Sequence, residues 1–418
     1  MHGHQEARND QRQLRMPRSL VILFAGASGL SVANVYYAQP LLDALAADFS
    51  ISHAAVGGVI TFIQIGCALA LLLLVPLGDQ MDRRRLILIQ LVALFAALLG
   101  VGLARSSTAL MFGMLMVGLL GTAMTQGLIA YAATAAAPGE RGRVVGATQG
   151  GVVIGLLSAR VLAGVVADLA SWRGVYLFSA LLMLVLGLML LRALPAQAAP
   201  VRRLSYGQLM LSMITLLRHE RVLQIRGVIA LLMFAAFSVF WSALVLPLST
   251  PPYSLSHTAI GAFGLVGVVG ALGAARAGHW ADQGFGQKTS ALALMLLLVS
   301  WLPLSMLSHS LWWLIVGIIA LDLGGQAIHV TNQSMLFNTQ GQAHSRLVGC
   351  YMLFYSVGSG LGAIASTAAY AALGWQGVCW LGAGISGLAL GFWILTLRHM
   401  PDNASSCAGR PQQSCAAI

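Results

Sequence analysis

The sequence predicts an all-helical membrane protein with twelve transmembrane helices, arranged as two parallel repeats of six. Of its 418 residues, 58% are hydrophobic and only 8% are charged, whereas a soluble domain carries about 25% charged residues. Apolar runs of about 20 residues, each long enough to cross ~30 Å of hydrocarbon as a helix, recur from Leu20 to Leu397. Membrane-spanning strands would alternate apolar and polar residues over about ten positions, which these unbroken runs do not.

We number the apolar runs as spans 1 to 12 and keep these numbers below. Span 1 carries polar residues from Asn34 to Gln39, so it is not the short apolar core of a cleaved signal peptide. The predicted limits are 20–43, 54–78, 86–104, 110–136, 144–167, 174–194, 223–248, 258–280, 289–307, 311–336, 346–372 and 377–397.

Arginine positions predict the orientation of the spans. Four arginines precede span 1, and if the spans alternate, only Arg105 and Arg173 fall on the opposite side from the other loop arginines. Because basic residues near helix ends stay cytoplasmic, we expect both termini on the cytoplasmic side of a bacterial inner membrane. The net charge of +11 then reflects topology. No nucleic-acid partner is expected, since these charges are not interleaved with stacking aromatic residues.

The two halves of the chain repeat at a fixed offset. Asp282 lies 203 positions after Asp79, and the same offset pairs Trp172 with Trp375. Six spans fall within it, so the halves cross the membrane in the same direction, as in transporters built from two six-helix bundles. The predicted domains are a cytoplasmic N-terminal segment (1–18), a first six-helix bundle (19–194), a cytoplasmic linker with an amphipathic helix (195–222), a second bundle (223–398) and a cytoplasmic tail (399–418).

Polar side chains concentrate in spans 1, 4, 7 and 10, which we expect to surround a cavity. Spans 3, 6, 9 and 12 are apolar almost all round and are expected to face lipid. Spans 5, 8 and 11 are rich in glycine, which lets helices approach closely, either for static packing or so that two bundles can rock against one another. The residues predicted to line a substrate cavity are Asn34, Tyr37, Gln39, Gln126, Trp241, Gln326 and Tyr355.

Asp322 is predicted to be a proton carrier. It lies 11 residues after Leu311, near the middle of the hydrocarbon, where an ionised carboxylate costs about 2.5–3.5 kcal/mol on insertion scales. Gln326 and His329 follow on the same helical face. This stripe predicts Asp322 and His329 as proton-coupling residues, with His329 as a relay or gate. The alternative is that Asp322 hydrogen-bonds a neighbouring helix and that His329 is a neutral core residue.

Arg160 is a second ionisable residue inside a span. It lies seven residues from the predicted outer end of span 5, so its side chain could extend roughly 10 Å to the membrane surface. Binding an anion, or pairing with a carboxylate, is the alternative.

The loop after span 2 indicates a family. It reads Val75-Pro-Leu-Gly-Asp-Gln-Met-Asp-Arg-Arg84. Leu77, Asp79, Arg83 and Arg84 match the signature Gly-x-Leu-Ala-Asp-Arg-x-Gly-Arg-Arg, and on these residues the chain resembles the major facilitator superfamily along essentially its whole length. The resemblance implies the major facilitator fold. It also implies a gating role for this loop, in which Asp79 and Arg83 stabilise one access state.

A second copy of the loop follows span 8 and keeps Asp282, which we add to the gating residues. For both copies, helix capping and topology-setting charge are the alternative to gating. The runs Asn34–Leu42 and Glu140–Gly146 are similar to those of bacterial drug-efflux and arabinose-efflux-type permeases.

We therefore expect a secondary transporter that exports a small organic solute, drug-like or sugar-like, in exchange for protons by alternating access. We expect it to act as a monomer in the lipid bilayer. Proton-coupled uptake or uniport is the alternative, and a non-transporting sensor or scaffold is a more distant one. The sequence contains no phosphate-binding loop, metal-spaced histidines or Gly-x-Ser-x-Gly motif, so no enzyme activity, cofactor or metal is expected.

Overall fold

The structure is a computed structural model that describes residues 16–136, 140–194, 205–337 and 344–399. The described residues form helices and their connections and contain no strand. Parts of the predicted terminal segments (1–15 and 400–418) and of the linker (195–204) lie outside the described residues. The side chains of Asp79 and Asp282 do as well.

Long helices occur at all twelve predicted spans. In the described part of the chain, ten helices are long and apolar enough to cross a membrane, the last one containing both span 11 and span 12. Span 8 lies in the helix His257–Trp280. In chain order the long helices are Arg18–Tyr36, Gly58–Leu69, Arg83–Gly102, Ser107–Ala135, Arg141–Leu169, Trp172–Ala193, Arg221–Ala243, His257–Trp280, Gly286–Val299, Leu311–Phe337 and His344–Thr396.

Shorter elements extend or connect these helices. A π-helical segment continues span 2, and a second one joins spans 8 and 9. The predicted amphipathic linker helix is present, and two residues of its apolar face, Leu209 and Met213, are buried. The shorter elements are Gln39–Leu41, Leu42–Asp48, Ala70–Leu74, Pro76–Asp79, Tyr206–His219, Val245–Leu248, Ala281–Phe285, Trp301–Ser305 and Leu397–His399.

Local sequence signals explain several helix ends. The side chains of Asp82, Ser106 and Ser171 accept backbone N–H groups at the starts of spans 3, 4 and 6, which satisfies donors that a helix start leaves unpaired. Gly374 adopts φ 62° between spans 11 and 12, and Gly284 adopts φ 92° between spans 8 and 9. Glycine reaches these left-handed values without a Cβ penalty, so both breaks fall where the chain can make them.

One compact unit contains the first six spans together with Ser238–Leu265 and Ser359–Val378, which belong to spans 7, 8, 11 and the start of span 12. Within it, spans 1 and 5 approach so closely that a Cβ on Gly155 would lie closer than 3.0 Å to the backbone of Gly29. Span 11 is tied to span 2, because Thr61 Oγ1 donates to Gly360 O over 2.7 Å. Glycine in span 5 thus permits the close helix packing that its sequence predicted.

The other compact unit contains Met213–Phe237, Val266–Gly358 and Cys379–Ile418. Gly358 of span 11 packs on the backbone of Leu231 in span 7. Trp301 Nε1 donates to Ser386 Oγ over 3.0 Å, which joins span 9 to span 12. In both units the apolar spans expose large side chains, as expected of helices that face lipid: Ile89 and Val92 in span 3, Leu188 in span 6, Leu292 in span 9 and Leu388 in span 12.

Candidate functional site

Asp322 lies near the middle of the 27-residue helix of span 10 and is only 4% exposed. It packs on a glycine face of span 8, where a Cβ on Gly267 or on Gly270 would lie closer than 3.0 Å to Asp322. The carboxylate therefore occupies space that only glycine leaves open. Of the described side chains, Asp322 is the only buried carboxylate. A carboxylate at such a depth can exchange a proton at lower cost than it can remain ionised in hydrocarbon.

His329 lies among aromatic rings on the same helix. Its Nδ1 is 3.0 Å from the hydroxyl of Tyr351, and the two rings stack with centroids 5.6 Å apart. Phe234 of span 7 makes T-shaped contacts with His329 and with Tyr355, with ring centroids 5.2 Å and 4.3 Å apart. His329 and Tyr355 therefore both contact Phe234. The sequence predicted His329 for proton coupling and Tyr355 for the substrate cavity.

Arg226 is a buried cation that the sequence reasoning missed. It is 0% exposed; its Nη1 donates to Ser290 Oγ at 2.8 Å and to Asn332 Oδ1 at 3.3 Å, and its Nη2 donates to Gln287 Oε1 at 3.0 Å. Its Nε is buried and has no hydrogen-bond partner in the described part of the chain. The available signal was an arginine five residues after Arg221, inside the apolar run of span 7.

Arg160, Gln39 and Trp241 come together in the unit that contains the first six spans. The Nε of Arg160 donates to Gln39 Oε1 over 2.9 Å. The guanidinium carbon lies 4.1 Å from the ring centroid of Trp241 and 5.5 Å from that of Tyr36, which is cation–π geometry. Arg160 is 3% exposed. Its side chain therefore does not extend to the surface but stays between two aromatic rings and an amide.

The remaining residues predicted for the cavity have different surroundings. Asn34 is fully buried; its Oδ1 accepts from Ser179 Oγ over 2.6 Å and its Nδ2 donates to Leu30 O over 2.8 Å. This pattern joins span 1 to span 6. Tyr37 is buried close by in sequence, whereas Gln126 and Gln326 are half-buried on spans 4 and 10.

In the loop after span 2, two neighbouring arginines make different contacts. Arg83 Nε donates to Gly78 O at 3.0 Å and its Nη1 to Ala130 O at 2.9 Å, so it joins the loop to span 4. Arg84 Nη2 donates to Leu191 O at the end of span 6 over 3.1 Å. Both side chains therefore hold the loop against neighbouring helices.

Comparisons with known proteins give one consistent result. The sequence model of the Major Facilitator Superfamily matches residues 24–282 and 227–415. The uncharacterized transporter YgaY of Escherichia coli O157:H7 is 40% identical over 375 residues, which cover 90% of this chain and 95% of the relative. The probable transporter SCO4007 of Streptomyces coelicolor is 30% identical over 372 residues, covering 87% and 84%.

Solved structures agree on the fold. A bacterial homolog of the human lysosomal transporter Spinster, crystallised inward-facing and occupied, superposes with a TM-score of 0.75 at 14% identity, covering 91% of this chain and 96% of the other. The human organic anion transporter MFSD10 superposes with a TM-score of 0.64 at 17% identity, covering 90% and 100%. With two helical repeats, buried ionisable residues and these relatives, the chain is a membrane transporter, not an enzyme, and belongs to the major facilitator superfamily.

Proposed function

We propose that this transporter exports a small organic solute across the bacterial inner membrane in exchange for protons, with Asp322 as the proton carrier. The observation that carries the proposal is the buried carboxylate of Asp322, near the middle of span 10 and against Gly267 and Gly270. An acidic side chain at membrane depth is rare and marks an ion or proton pathway by default.

The energetics support export against a gradient. One elementary charge that moves through about 100 mV releases roughly 2.3 kcal/mol, which sustains about a 50-fold solute gradient. One proton per cycle, taken up and released by Asp322, is therefore sufficient. His329 lies seven residues further along the same helix, towards the predicted cytoplasmic side, and contacts the hydroxyl of Tyr351. This position supports a role for His329 as a proton relay between Asp322 and that side.

The proposed solute is drug-like or sugar-like. Aromatic rings stack on the flat faces of either class, and amides bind hydroxyl groups. Trp241 and Gln39 bring a ring and an amide together around Arg160 in one unit, and Tyr355 and His329 both contact Phe234 in the other. Export is the proposed direction because the runs Asn34–Leu42 and Glu140–Gly146 resemble those of efflux-type permeases.

The proposal is tested in proteoliposomes that contain the full chain and an internal pH dye. A panel of drugs and sugars is added to wild type, to Asp322→Asn and to Asp10→Asn, which makes the same chemical change outside the spans. We expect a solute-dependent pH signal in wild type and in Asp10→Asn but not in Asp322→Asn. An equal signal in all three proteins would remove Asp322 from the mechanism.

Other outcomes of the same experiment identify the alternatives. Solute movement without a pH signal would indicate uniport. Accumulation of solute on the side that protons enter would indicate proton-coupled uptake, whereas accumulation on the side that protons leave is the result expected for export in exchange for protons. If no solute of the panel moves under any gradient, the two proposed solute classes are wrong.

A further inference from the structure

A groove of about 700 Å³ runs along the exposed face of span 3. Arg84 and Arg85 lie at one end of it, and Leu88, Ile89, Val92 and Ala96 continue along it. These positions follow the helical spacing of one face, so the groove is a continuous stripe with a cationic end and an apolar body. The gating loop includes Arg84, but neither that loop nor the transport proposal accounts for Arg85 or for the apolar body.

We propose that this groove binds one anionic phospholipid of the predicted cytoplasmic leaflet, with its phosphate at Arg84 and Arg85 and an acyl chain along Ile89, Val92 and Ala96. Ile89 and Val92 are 54% and 65% exposed. On a membrane-spanning helix, such side chains meet acyl chains. The occupant of the apolar body is therefore a lipid, and the cationic end selects which lipid.

The dimensions fit one leaflet. From Arg85 to Ala96 the helix advances 11 residues, or about 16 Å at 1.5 Å per residue. Half of the ~30 Å hydrocarbon core is about 15 Å. A lipid whose phosphate contacts the two arginines would therefore have its acyl chain alongside Ala96 at the middle of the membrane. A soluble anion would use only the arginine end.

The charges at the cationic end are available to a phosphate. The side chain of Arg85 is exposed, so its guanidinium is accessible to a phosphate. Arg84 donates from Nη2 to Leu191 O and its Nε is buried, so Arg84 contributes positive charge while Arg85 offers the accessible guanidinium. Asp82 also lies at this end, but its Oδ1 accepts the backbone N–H of Arg84 over 3.0 Å, so it caps the helix. Guanidinium groups bind phosphate oxygens with paired hydrogen bonds.

Arg83 does not belong to the site. It is turned away, because its guanidinium donates to Gly78 O and Ala130 O. The arginine-rich end of span 3 is also the end that the sequence predicts to be cytoplasmic, where the leaflet carries anionic lipids that attract basic residues near the surface.

The test is lipid binding to the purified full chain in detergent, counted by native mass spectrometry. The protein is titrated with phosphatidylglycerol or with phosphatidylcholine of the same acyl chains. We expect tighter binding of phosphatidylglycerol to wild type. Its affinity should fall about fivefold in Arg85→Gln and by a similar factor again in Arg84→Gln/Arg85→Gln, as is typical for one basic residue near an anionic surface.

Two further variants keep the result interpretable. Arg218→Gln/Arg221→Gln removes two exposed arginines of the same predicted side outside the groove and should retain wild-type affinity. Ala96→Trp fills the apolar end and should weaken long-chain phosphatidylglycerol but not a short-chain form that ends before Ala96.

Three results would overturn the proposal. They are equal affinity for the two headgroups in wild type, equal losses in the groove and control arginine variants, and competition by glycerol phosphate as strong as that by the lipid. The last result would mean that the arginines bind a free anion. If Arg84→Gln/Arg85→Gln fails to fold, Arg85→Gln alone decides, because the side chain of Arg85 is exposed.

Discussion

Asp322 and the glycines opposite it are packed so closely that neither side can change independently. The carboxylate occupies the surface of span 8 at Gly267 and Gly270, and at each position an added Cβ would lie closer than 3.0 Å to Asp322. Interiors of this density respond to single methyl groups with side-chain or backbone shifts. These glycines are thus part of the environment of the carboxylate.

Gly267→Ala should therefore damage the protein, although alanine favours helices. We expect a lower thermal midpoint, with a cost of about 1–3 kcal/mol from overpacking, and slower transport. Gly384→Ala is the matched control, because nothing lies within 4 Å of its new Cβ, and it should be neutral or stabilising by about 0.4–1 kcal/mol. Equal midpoints for the two variants would contradict the packing that we describe around Asp322.

Tyr351→Phe separates the two roles open to His329. The substitution removes the hydroxyl that lies 3.0 Å from Nδ1 and keeps the ring that stacks on the imidazole. The loss of one hydrogen bond costs about 1 kcal/mol of stability. If His329 relays protons through this contact, the rate of proton movement should fall more than the rate at which solute exchanges for solute. Both rates are measured side by side in proteoliposomes. Equal effects on both rates would leave His329 as a core residue.

Residue identity alone could not reveal how the buried polar groups are paired. The sequence placed Asn34 in the cavity because it is an amide inside span 1, but its partner Ser179 lies 145 positions away. Arg226 was missed because it is close to a helix end, where basic residues usually reach the surface, whereas here Ser290, Gln287 and Asn332 hold it inside. Both pairings depend on tertiary packing between helices, which no local pattern encodes.

At the scale of elements, a charged cluster joins three spans on the predicted outer side. His257, the residue before the predicted start of span 8, lies with Nε2 3.1 Å from Asp43 Oδ1 and with Nδ1 3.2 Å from Asp168 Oδ1. The backbone N–H groups of His257 and Thr258 also donate to Asp168. Only the protonated imidazole can donate to both carboxylates at once, so the strength of this junction depends on pH.

The hydrogen bond to Asp43 raises the pKa of His257 above its usual value, against the opposing effect of burial, and Asp168 adds to the rise. The folded protein then holds this proton more tightly than the unfolded chain. The resulting stability is fully present below the unfolded pKa of about 6.5 and is lost as the pH rises through the raised folded pKa.

We accordingly expect His257→Gln to lower the thermal midpoint most at pH 5–6, with a deficit that shrinks as the pH increases. His53→Gln, which changes an exposed histidine of the loop between spans 1 and 2, is the control and should follow wild type throughout. A deficit of constant size across the pH range would show that the imidazolium does not strengthen the junction.

Helix limits were predictable where the local signals are strong. Span 10 was predicted from 311 to 336 and is observed as Leu311–Phe337. Spans 11 and 12 were separated at 372–377, and the helical run breaks there only through the left-handed φ of Gly374. Hydropathy marks the apolar runs, but the way in which their ends continue as π or 3-10 turns depends on local packing. Ala70–Leu74, for example, lies inside the predicted span 2, but its π-helical geometry was not predicted.

At the scale of the whole molecule, the sequence repeat and the buried charges carry different information. The offset of 203 residues relates spans of the two halves, but it pairs Asp322 with Leu119, Arg160 with Ala363 and Arg226 with Leu23. The repeated part accounts for the fold, which resembles that of other members of the superfamily. These ionisable residues have no ionisable counterpart in the other half, so they distinguish the halves, and function is expected to depend on such local differences.

The most direct test of the account compares two reactions of Asp322→Asn in the same proteoliposomes, with a solute that wild type transports. Exchange of solute for solute at equal pH needs no net proton movement. Accumulation of solute against its own gradient needs coupling to protons. We predict that Asp322→Asn retains exchange and loses accumulation driven by a pH gradient. Accumulation at the wild-type level in Asp322→Asn would contradict the proposal that this carboxylate carries the proton.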